Sequence, residues 1–200
     1  MCGNGARCAA RFAYVNGIAG AALSFETDVG VVSAKIDHQR VKVRMPDPSD
    51  LKLSYPLELS GRSLDISSIN TGVPHVVAMV AQINDVDVIA VGREIRFHQA
   101  FAPAGTNANF VHRRKGNQIE IRTYERGVED ETLACGTGAI ASAIISARQF
   151  KMDSPIDVKT RSGEYLRIHF RTKNGQFDHI YMEGDARIIY IGDLLPDAWK

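Results

Sequence analysis

Alternation of apolar and polar residues is the commonest pattern along the chain, and it predicts short β-strands separated by tight turns. Between Val41 and Met45, for example, apolar residues alternate with two basic ones, which gives one buried face and one solvent face. The strands predicted in this way are 22–27, 31–36, 40–45, 51–59, 64–70, 76–80, 107–112, 118–124, 156–160, 165–170, 177–183 and 186–191.

Two alanine-rich stretches, 5–16 and 139–150, depart from this alternation and predict α-helices. The second is apolar on nearly all sides and too short to span a membrane, which is typical of a helix at the centre of a core. The apolar spacing of 86–97 favours a third helix. On the first helix, Arg7 and Arg11 share one face and are interpreted as a solvent-exposed edge, with phosphate or carboxylate binding as the alternative. Cys8 is predicted to be a small core residue.

These elements predict a mixed α/β fold of the α+β type. It would consist of two similar halves, each a curved, mostly antiparallel or mixed sheet wrapped around a central buried helix. The proline- and aspartate-rich stretch 46–50 is the best candidate for a boundary. We expect residues 1–46 and 186–200 to belong to the N-terminal half and residues 47–185 to form the C-terminal half.

Composition excludes several classes of function. The 200 residues carry a formal net charge of +1, so the chain lacks the basic patch that nucleic acid or an anionic membrane would require. An apolar fraction of 44% is ordinary for a globular protein. Three cysteines are an odd number in a chain too large to need disulfides, which favours a reducing compartment and therefore the cytoplasm.

One short pattern occurs twice, as Cys2-Gly3-Asn4-Gly5-Ala6 and as 135–139, where Thr137 replaces the asparagine. Each copy precedes a predicted helix. A cysteine at a helix N-terminus has its thiolate stabilised by unpaired amide groups, which would lower the thiol pKa from about 8.5 towards neutrality. The glycines allow backbone N–H groups to approach an anionic ligand closely.

Two such thiols in one pocket are suited to inverting a carbon centre, because one face loses a proton and the other gains one. Amides at both helix N-termini would stabilise the charge that develops on an amino acid carboxylate. The alternatives are two structural cysteines or a redox pair, although Cys-x-x-Cys is absent. Neither copy has a second zinc ligand at the usual spacing, and neither has the Lys-Ser/Thr of a phosphate-binding loop.

The motifs that carry a family resemblance lie at 1–8, 72–75, 105–110, 124–127 and 135–139. With them, the chain resembles the diaminopimelate epimerases along essentially its whole length. The resemblance implies two α/β halves with the site in the cleft between them. It also implies interconversion of LL- and meso-diaminopimelate, a step of lysine and peptidoglycan synthesis, with no cofactor and no metal. A homodimer is left open.

The resemblance assigns Cys2 and Cys135 as the base and acid pair. It implies that Gly3, Asn4, Gly5, Gly136 and Thr137 contact the substrate at the two helices. Asn107, Glu125 and Arg126 would recognise the distal amino acid group, where arginine suits a carboxylate and glutamate and asparagine suit an ammonium. Val73 and His75 would line the site, although a structural histidine is an equal alternative.

Two departures from the family pattern affect these expectations. Val73 stands where the family usually has asparagine, which removes a polar group expected near the substrate. The family's chains also begin well upstream of Met1, so we expect an incomplete first half and a fragment with little or no activity. Two functional alternatives remain: a proline racemase-like isomerase of the same fold, and a non-catalytic or thiol-redox module.

Overall fold

The secondary structure is described for residues 2–28, 30–193 and 195–199 of a computed structural model. The helices are α1 (Gly3–Val15), α2 (Val88–Arg96) and α3 (Gly136–Phe150), with short 3-10 turns at Ile83–Asp85, Gln99–Phe101 and Pro196–Trp199. The strands are β1 (Ala22–Thr27), β2 (Gly30–Asp37), β3 (Arg40–Arg44), β4 (Ser49–Leu59), β5 (Arg62–Asn70), β6 (Pro74–Met79), β7 (Asn107–Arg113), β8 (Gln118–Glu125), β9 (Asp130–Thr132), β10 (Ile156–Lys159), β11 (Tyr165–Lys173) and β12 (Gln176–Asp185).

All of these strands belong to one sheet, ordered β1-β2-β3-β12-β11-β10-β8-β7-β6-β5-β4, with β9 added to β8. The β6–β7 and β8–β10 pairs are parallel, and the other neighbours are antiparallel. The predicted mixed and mostly antiparallel fold is therefore confirmed. The pairing of β12 with β3 makes the sheet continuous past the predicted boundary at 46–50. The division into two halves stays a prediction.

Helix α3 is the centre of the main hydrophobic core, as its all-round apolar pattern predicts. Every residue from Gly138 to Ala147 is buried, and the helix packs against β5, β6, β7, β8, β10, β11 and β12. The alanine and glycine residues of α3 allow this close packing, because their small side chains let the helix backbone approach its neighbours. Packing against seven strands therefore fixes the position of the α3 N-terminus and of Cys135, which precedes it.

Helix α1 buries one face only. Gly3, Ala6, Arg7 and Ala10 have the i, i+3, i+4, i+7 spacing of a helix face and pack towards β2, β3, β12 and α3. Cys8 lies outside this face and is exposed, so its predicted burial is wrong. A helix with one buried stripe differs from the expected second central helix, since Gly5 and Ala9 on its other side are exposed.

Two predictions about strands are wrong. The stretch 186–191 forms no strand, and its residues 188–191 are exposed. The amide of Ala186 bonds to the carbonyl of Gln39, and beyond it the chain leaves the sheet. Conversely, β9 is missing from the predicted strands; it pairs with β8, and its Glu131 forms a two-point ion pair with Arg122 on β8. Among the residues described, no helix is long and apolar enough to cross a membrane.

Truncation of the α3 core should be costly. Ile144→Ala removes a fully buried side chain, so we expect the free energy of unfolding to fall by about 2–5 kcal/mol. The matched control is Ile89→Ala on α2, where the side chain is 46% exposed and the loss should stay below about 1 kcal/mol. Urea denaturation measures both, and equal losses would contradict the central position of α3.

Candidate active site

Both Cys-Gly-x-Gly motifs form the start of a helix with nearly the same backbone geometry. Cys2 and Cys135 are the N-cap residues, with φ and ψ of −99° and 113° in one case and −118° and 112° in the other. Each cysteine carbonyl accepts the first helical hydrogen bond, 2.9 Å from the amide nitrogen four residues later. The repeated sequence pattern is therefore a repeated structure.

Each thiol is close to hydrogen-bonding groups of its own helix. The amide of Gly5 donates to Cys2 Sγ at 3.5 Å. Cys135 Sγ lies 3.5 Å from the hydroxyl of Thr137 and also faces the amides of Thr137 and Gly138. These donors are the unpaired groups of a helix N-terminus, and they favour negative charge on sulfur.

The two motifs line one cavity of about 250 Å³. Its lining contains most of the predicted site residues, namely Cys2, Gly3, Asn4, Val73, Asn107, Glu125, Arg126, Cys135, Gly136 and Thr137. Met45, Pro46, Thr71, Gly72 and Ala134 complete it. Gly5 and His75 are outside the lining. Residues more than 130 positions apart thus share one site.

Met182 on β12 sets how the two helices meet. Its side chain is fully buried, and it contacts the first residue of both helices. A Cβ on Gly136 would lie 3.0 Å from Met182 Sδ, and a Cβ on Gly3 would overlap the Met182 methyl group. Sequence reasoning missed this residue, because alternation on β12 indicates which face points inwards but not what that face contacts.

Thr71 and Asn107 support the cavity walls. The Thr71 hydroxyl donates to the carbonyl of Thr137 at 3.0 Å, which ties the β5–β6 turn to the first turn of α3. The Asn107 amide donates to the carbonyl of Pro74 at 3.0 Å, and its oxygen accepts from the amide of Arg126 at 2.9 Å. Asn107 therefore lines the cavity while also holding two neighbouring segments together.

Glu125 and Arg126 are half-buried at the end of β8. One guanidinium nitrogen of Arg126 donates to the carbonyl of Ala104 at 3.1 Å. Within the described part of the chain, neither side chain has an ion-pair partner. Both charges therefore remain available to a ligand in the cavity.

His75 lies beneath the site. It is buried, and its Nδ1 is 3.1 Å from Asn109 Nδ2. Burial, with a smaller effect of the Arg126 charge, lowers the pKa of His75 to about 3, so the ring is neutral. Asn109 accepts a hydrogen bond from Thr123 and packs against Gly138 of α3. The histidine thus belongs to a buried network under the N-terminus of α3.

Arg7 is buried, so the prediction of a solvent-exposed edge is wrong for this residue. It donates to Asn4 Oδ1 at 2.9 Å, and Gly184 leaves room for its guanidinium. Burial lowers the pKa of Arg7, and the charges of Cys8, Cys2 and Asp185 oppose that shift. Because the Asn4 side-chain oxygen accepts the hydrogen bond from Arg7, the Asn4 side-chain nitrogen remains available to donate to a ligand.

Burial raises the pKa of the Cys135 thiol, and the charge of Glu125 raises it further. The Thr137 hydroxyl and the amides of Gly138 and Thr137 lower it, but by less. The expected lowering by the helix N-terminus is therefore wrong for Cys135, because desolvation of the thiolate outweighs the amide donors. The environment of Cys135 therefore favours the thiol over the thiolate.

The shared contact at Met182 predicts coupled mutations. Gly3→Ala should lower the free energy of unfolding by about 1–3 kcal/mol, because the buried Met182 methyl must move. In a Met182→Ala background that loss should shrink. Gly5→Ala is the control, since its Cβ would meet only Cys2 atoms at 3.8 Å. Equal losses for Gly3→Ala in both backgrounds, measured by urea denaturation, would contradict the contact.

The environment of Cys135 predicts its reactivity. Iodoacetamide should modify Cys135 with a midpoint above the ordinary thiol value of about 8.5, and Glu125→Gln should shift the midpoint down by removing a negative charge. Peptide mass spectrometry across roughly pH 6 to 10 follows each cysteine separately. The exposed Cys8 is the internal control. A Cys135 midpoint below that of Cys8 would contradict the assignment.

Comparison with known proteins identifies relatives of the whole chain. The family model described as diaminopimelate epimerase matches residues 67–189. A diaminopimelate epimerase of Aquifex aeolicus is 45% identical over 201 residues, which cover 99% of this chain and 71% of that protein. One from Chlorobaculum tepidum is 40% identical over 198 residues, covering 97% of this chain and 74% of that protein.

Solved structures share the fold at low sequence identity. A hydroxyproline epimerase from Agrobacterium vitis superposes with a TM-score of 0.70 at 13% identity, over 90% of this chain and 62% of that one. A Bacillus anthracis protein of the PhzF family gives 0.65 at 14% identity, over 92% and 73% of the two chains. Together, the matched family model and the relatives at 40–45% identity place the chain in the diaminopimelate epimerase family.

Proposed function

We propose that the chain is an epimerase that interconverts LL- and meso-diaminopimelate with two cysteine side chains. The observation that carries the proposal is the single cavity lined by two helix N-termini, each with a cysteine at its cap. Each of the two helix N-termini offers a proton-transfer group next to amides that favour an anion. The substrate is the one named for its relatives.

The reaction begins with Cys135 as the protonated partner, since burial and Glu125 favour its neutral form. The Cys2 thiolate takes the proton from one face of the α-carbon, and the Cys135 thiol gives its proton to the other face. Cys2 ends as the thiol and Cys135 as the thiolate, so the configuration is inverted with no net loss of protons. The opposite direction uses the same groups with the roles exchanged.

Two helix N-termini stabilise the charge that accumulates when the α-proton leaves. The carboxylate next to that carbon would accept hydrogen bonds from the unpaired amides that begin at Gly3 and Gly136. The Asn4 amide nitrogen, which Arg7 leaves free, adds a side-chain donor on the Cys2 side. Fixed donors of this kind need no rearrangement during the reaction.

Glu125 and Arg126 favour a substrate with a second amino acid group. A carboxylate and a guanidinium side by side complement an ammonium and a carboxylate. A proline racemase-like substrate lacks that second group and would leave both charges unpaired in a half-buried position. Val73 supplies an apolar wall near them. This pair favours diaminopimelate over the substrates of other isomerases with this fold.

The chemistry requires both thiols to be reduced, which favours the cytoplasm as the site of reaction. A thiol-redox module would instead use a disulfide between Cys2 and Cys135 in its working state. The structure has Cys2, Cys8 and Cys135 as free cysteines. A homodimer stays a prediction.

The proposal predicts that epimerisation depends on two of the three cysteines. In D₂O, the parent chain should convert LL- into meso-diaminopimelate with deuterium at the inverted carbon, as read by NMR. Cys2→Ser and Cys135→Ser should each lower the rate at least about 100-fold, because each removes one proton-transfer group. Cys8→Ser, on the same helix as Cys2 but outside the cavity, should match the parent.

A Cys2→Ser or Cys135→Ser variant that epimerises at the parent rate would overturn the two-thiol mechanism. A parent chain with no exchange above the buffer rate would overturn the proposal for these 200 residues. Activity that depends on oxidation of the cysteines would favour the redox module.

A further inference from the structure

Arg96, at the end of α2, forms an ion pair that the proposed reaction does not use. Its Nε donates to Glu129 Oε1 at 3.0 Å, and its guanidinium lies 4.5 Å from the centre of the Phe97 ring. The Arg96 side chain is only 15% exposed. Neither partner of the ion pair lines the cavity. The pair is therefore placed behind the site rather than in it.

Glu129 closes the turn that follows the end of β8. The same oxygen that binds Arg96 accepts a hydrogen bond from the Gly127 amide at 3.0 Å. The Glu129 amide donates to the carbonyl of Glu125 at 2.8 Å. Burial raises the pKa of Glu129, but the Gly127 amide and Arg96 lower it by more, so the carboxylate stays charged. This carboxylate fixes the backbone on which Glu125 and Arg126 stand.

Arg96 also contacts the segment that leads into β7. Gly105 has a φ of +68°, and a Cβ at this position would lie 2.7 Å from the Arg96 carbonyl oxygen and 2.9 Å from Cζ. Two residues later, Asn107 accepts the hydrogen bond from the Arg126 amide. Arg96 therefore packs against the segment of Gly105 and forms an ion pair with the turn of Glu129. The first segment contributes Asn107 to the cavity, and the second contributes Glu125 and Arg126.

We propose that Arg96 is a positioning residue that sets specificity for the second amino acid group of the substrate. It acts in two ways. Its ion pair with Glu129 fixes the turn that carries Glu125 and Arg126, and its contact with Gly105 fixes the backbone two residues before Asn107. The proposal rests on the proposed function, because it assumes that Asn107, Glu125 and Arg126 bind the distal amino acid group of the substrate. Among the described residues, Arg96 and Glu129 make no hydrogen bond to the two cysteines or to their helix N-termini.

The test compares binding of meso-diaminopimelate and of 2-aminoheptanoate, which has the same carbon chain but lacks both the distal carboxylate and the distal ammonium. In isothermal titrations, Arg96→Met should weaken diaminopimelate binding about tenfold. Binding of 2-aminoheptanoate should change about twofold or less, so the preference between the two ligands falls about fivefold. In kinetics, KM should rise by about the same tenfold factor while kcat changes about threefold at most.

Arg93→Met is the matched control. Arg93 lies on the same helix and over the same Phe97 ring, at 5.2 Å, but it is exposed and does not bond to Glu129. This variant should keep the parent's preference. Glu129→Gln keeps an acceptor for Gly127 and removes the charge, so it should shift the preference in the direction of Arg96→Met. The double variant should be no worse than Arg96→Met alone, because both changes remove the same ion pair.

Each outcome decides a separate question. Equal loss of both ligands in Arg96→Met, or a loss of preference in Arg93→Met, would overturn the positioning role and indicate a general structural effect. An unchanged preference in Arg96→Met with normal exchange by the parent would overturn this inference alone. A parent chain that neither binds diaminopimelate nor exchanges its α-proton would overturn the proposed function itself.

Discussion

The site depends on the packing of two helix N-termini against one methionine. Met182 touches Gly3 and Gly136, and it can do so because neither residue has a side chain. Each helix N-terminus carries a partial positive charge of roughly half an elementary charge, so two of them at one cavity repel each other. The apolar core and the continuous sheet hold them together against this repulsion. An anionic ligand relieves it, which gives the cavity an affinity for a carboxylate before any side chain contributes.

Two thiols with the same local sequence differ because the core around them differs. A helix N-terminus stabilises a nearby anion by about 0.3–1 kcal/mol at an exposed position and by up to about 2 kcal/mol in a partly buried one. Full burial can shift a pKa by up to about 3–5 units, and one unit is about 1.4 kcal/mol. At Cys135, which is buried, desolvation outweighs the stabilisation by the helix N-terminus, so the thiol pKa is raised. Cys2, by contrast, is exposed. The repeated motif therefore places its two cysteines in different environments.

Much of the fold follows from local patterns. The apolar and polar pattern predicts the strands from β1 to β12 except β9, and the alanine-rich stretches predict the two helices that follow the cysteine motifs. What local patterns leave out is which distant surfaces meet. The pairing of β12 with β3 joins residues about 140 positions apart, and Met182 gains its role only through that pairing. Arg7 is misread for the same reason, because its burial depends on Gly184 of β12. The stretch 186–191 is rich in β-branched and aromatic residues like a strand but pairs with no strand among the described residues.

The two ends of the cavity rely on different parts of the molecule. At the two cysteine motifs, the lining groups are backbone amides of helices whose positions are set by the core, so substitutions there disturb the fold. At the other end, the groups are side chains on the segments 104–107 and 125–129, which hydrogen bonds and the Arg96–Glu129 pair hold together. Side chains on surface segments can change without moving the helices. A fold built in this way allows the side chains of these segments to change while the two helix N-termini keep their positions.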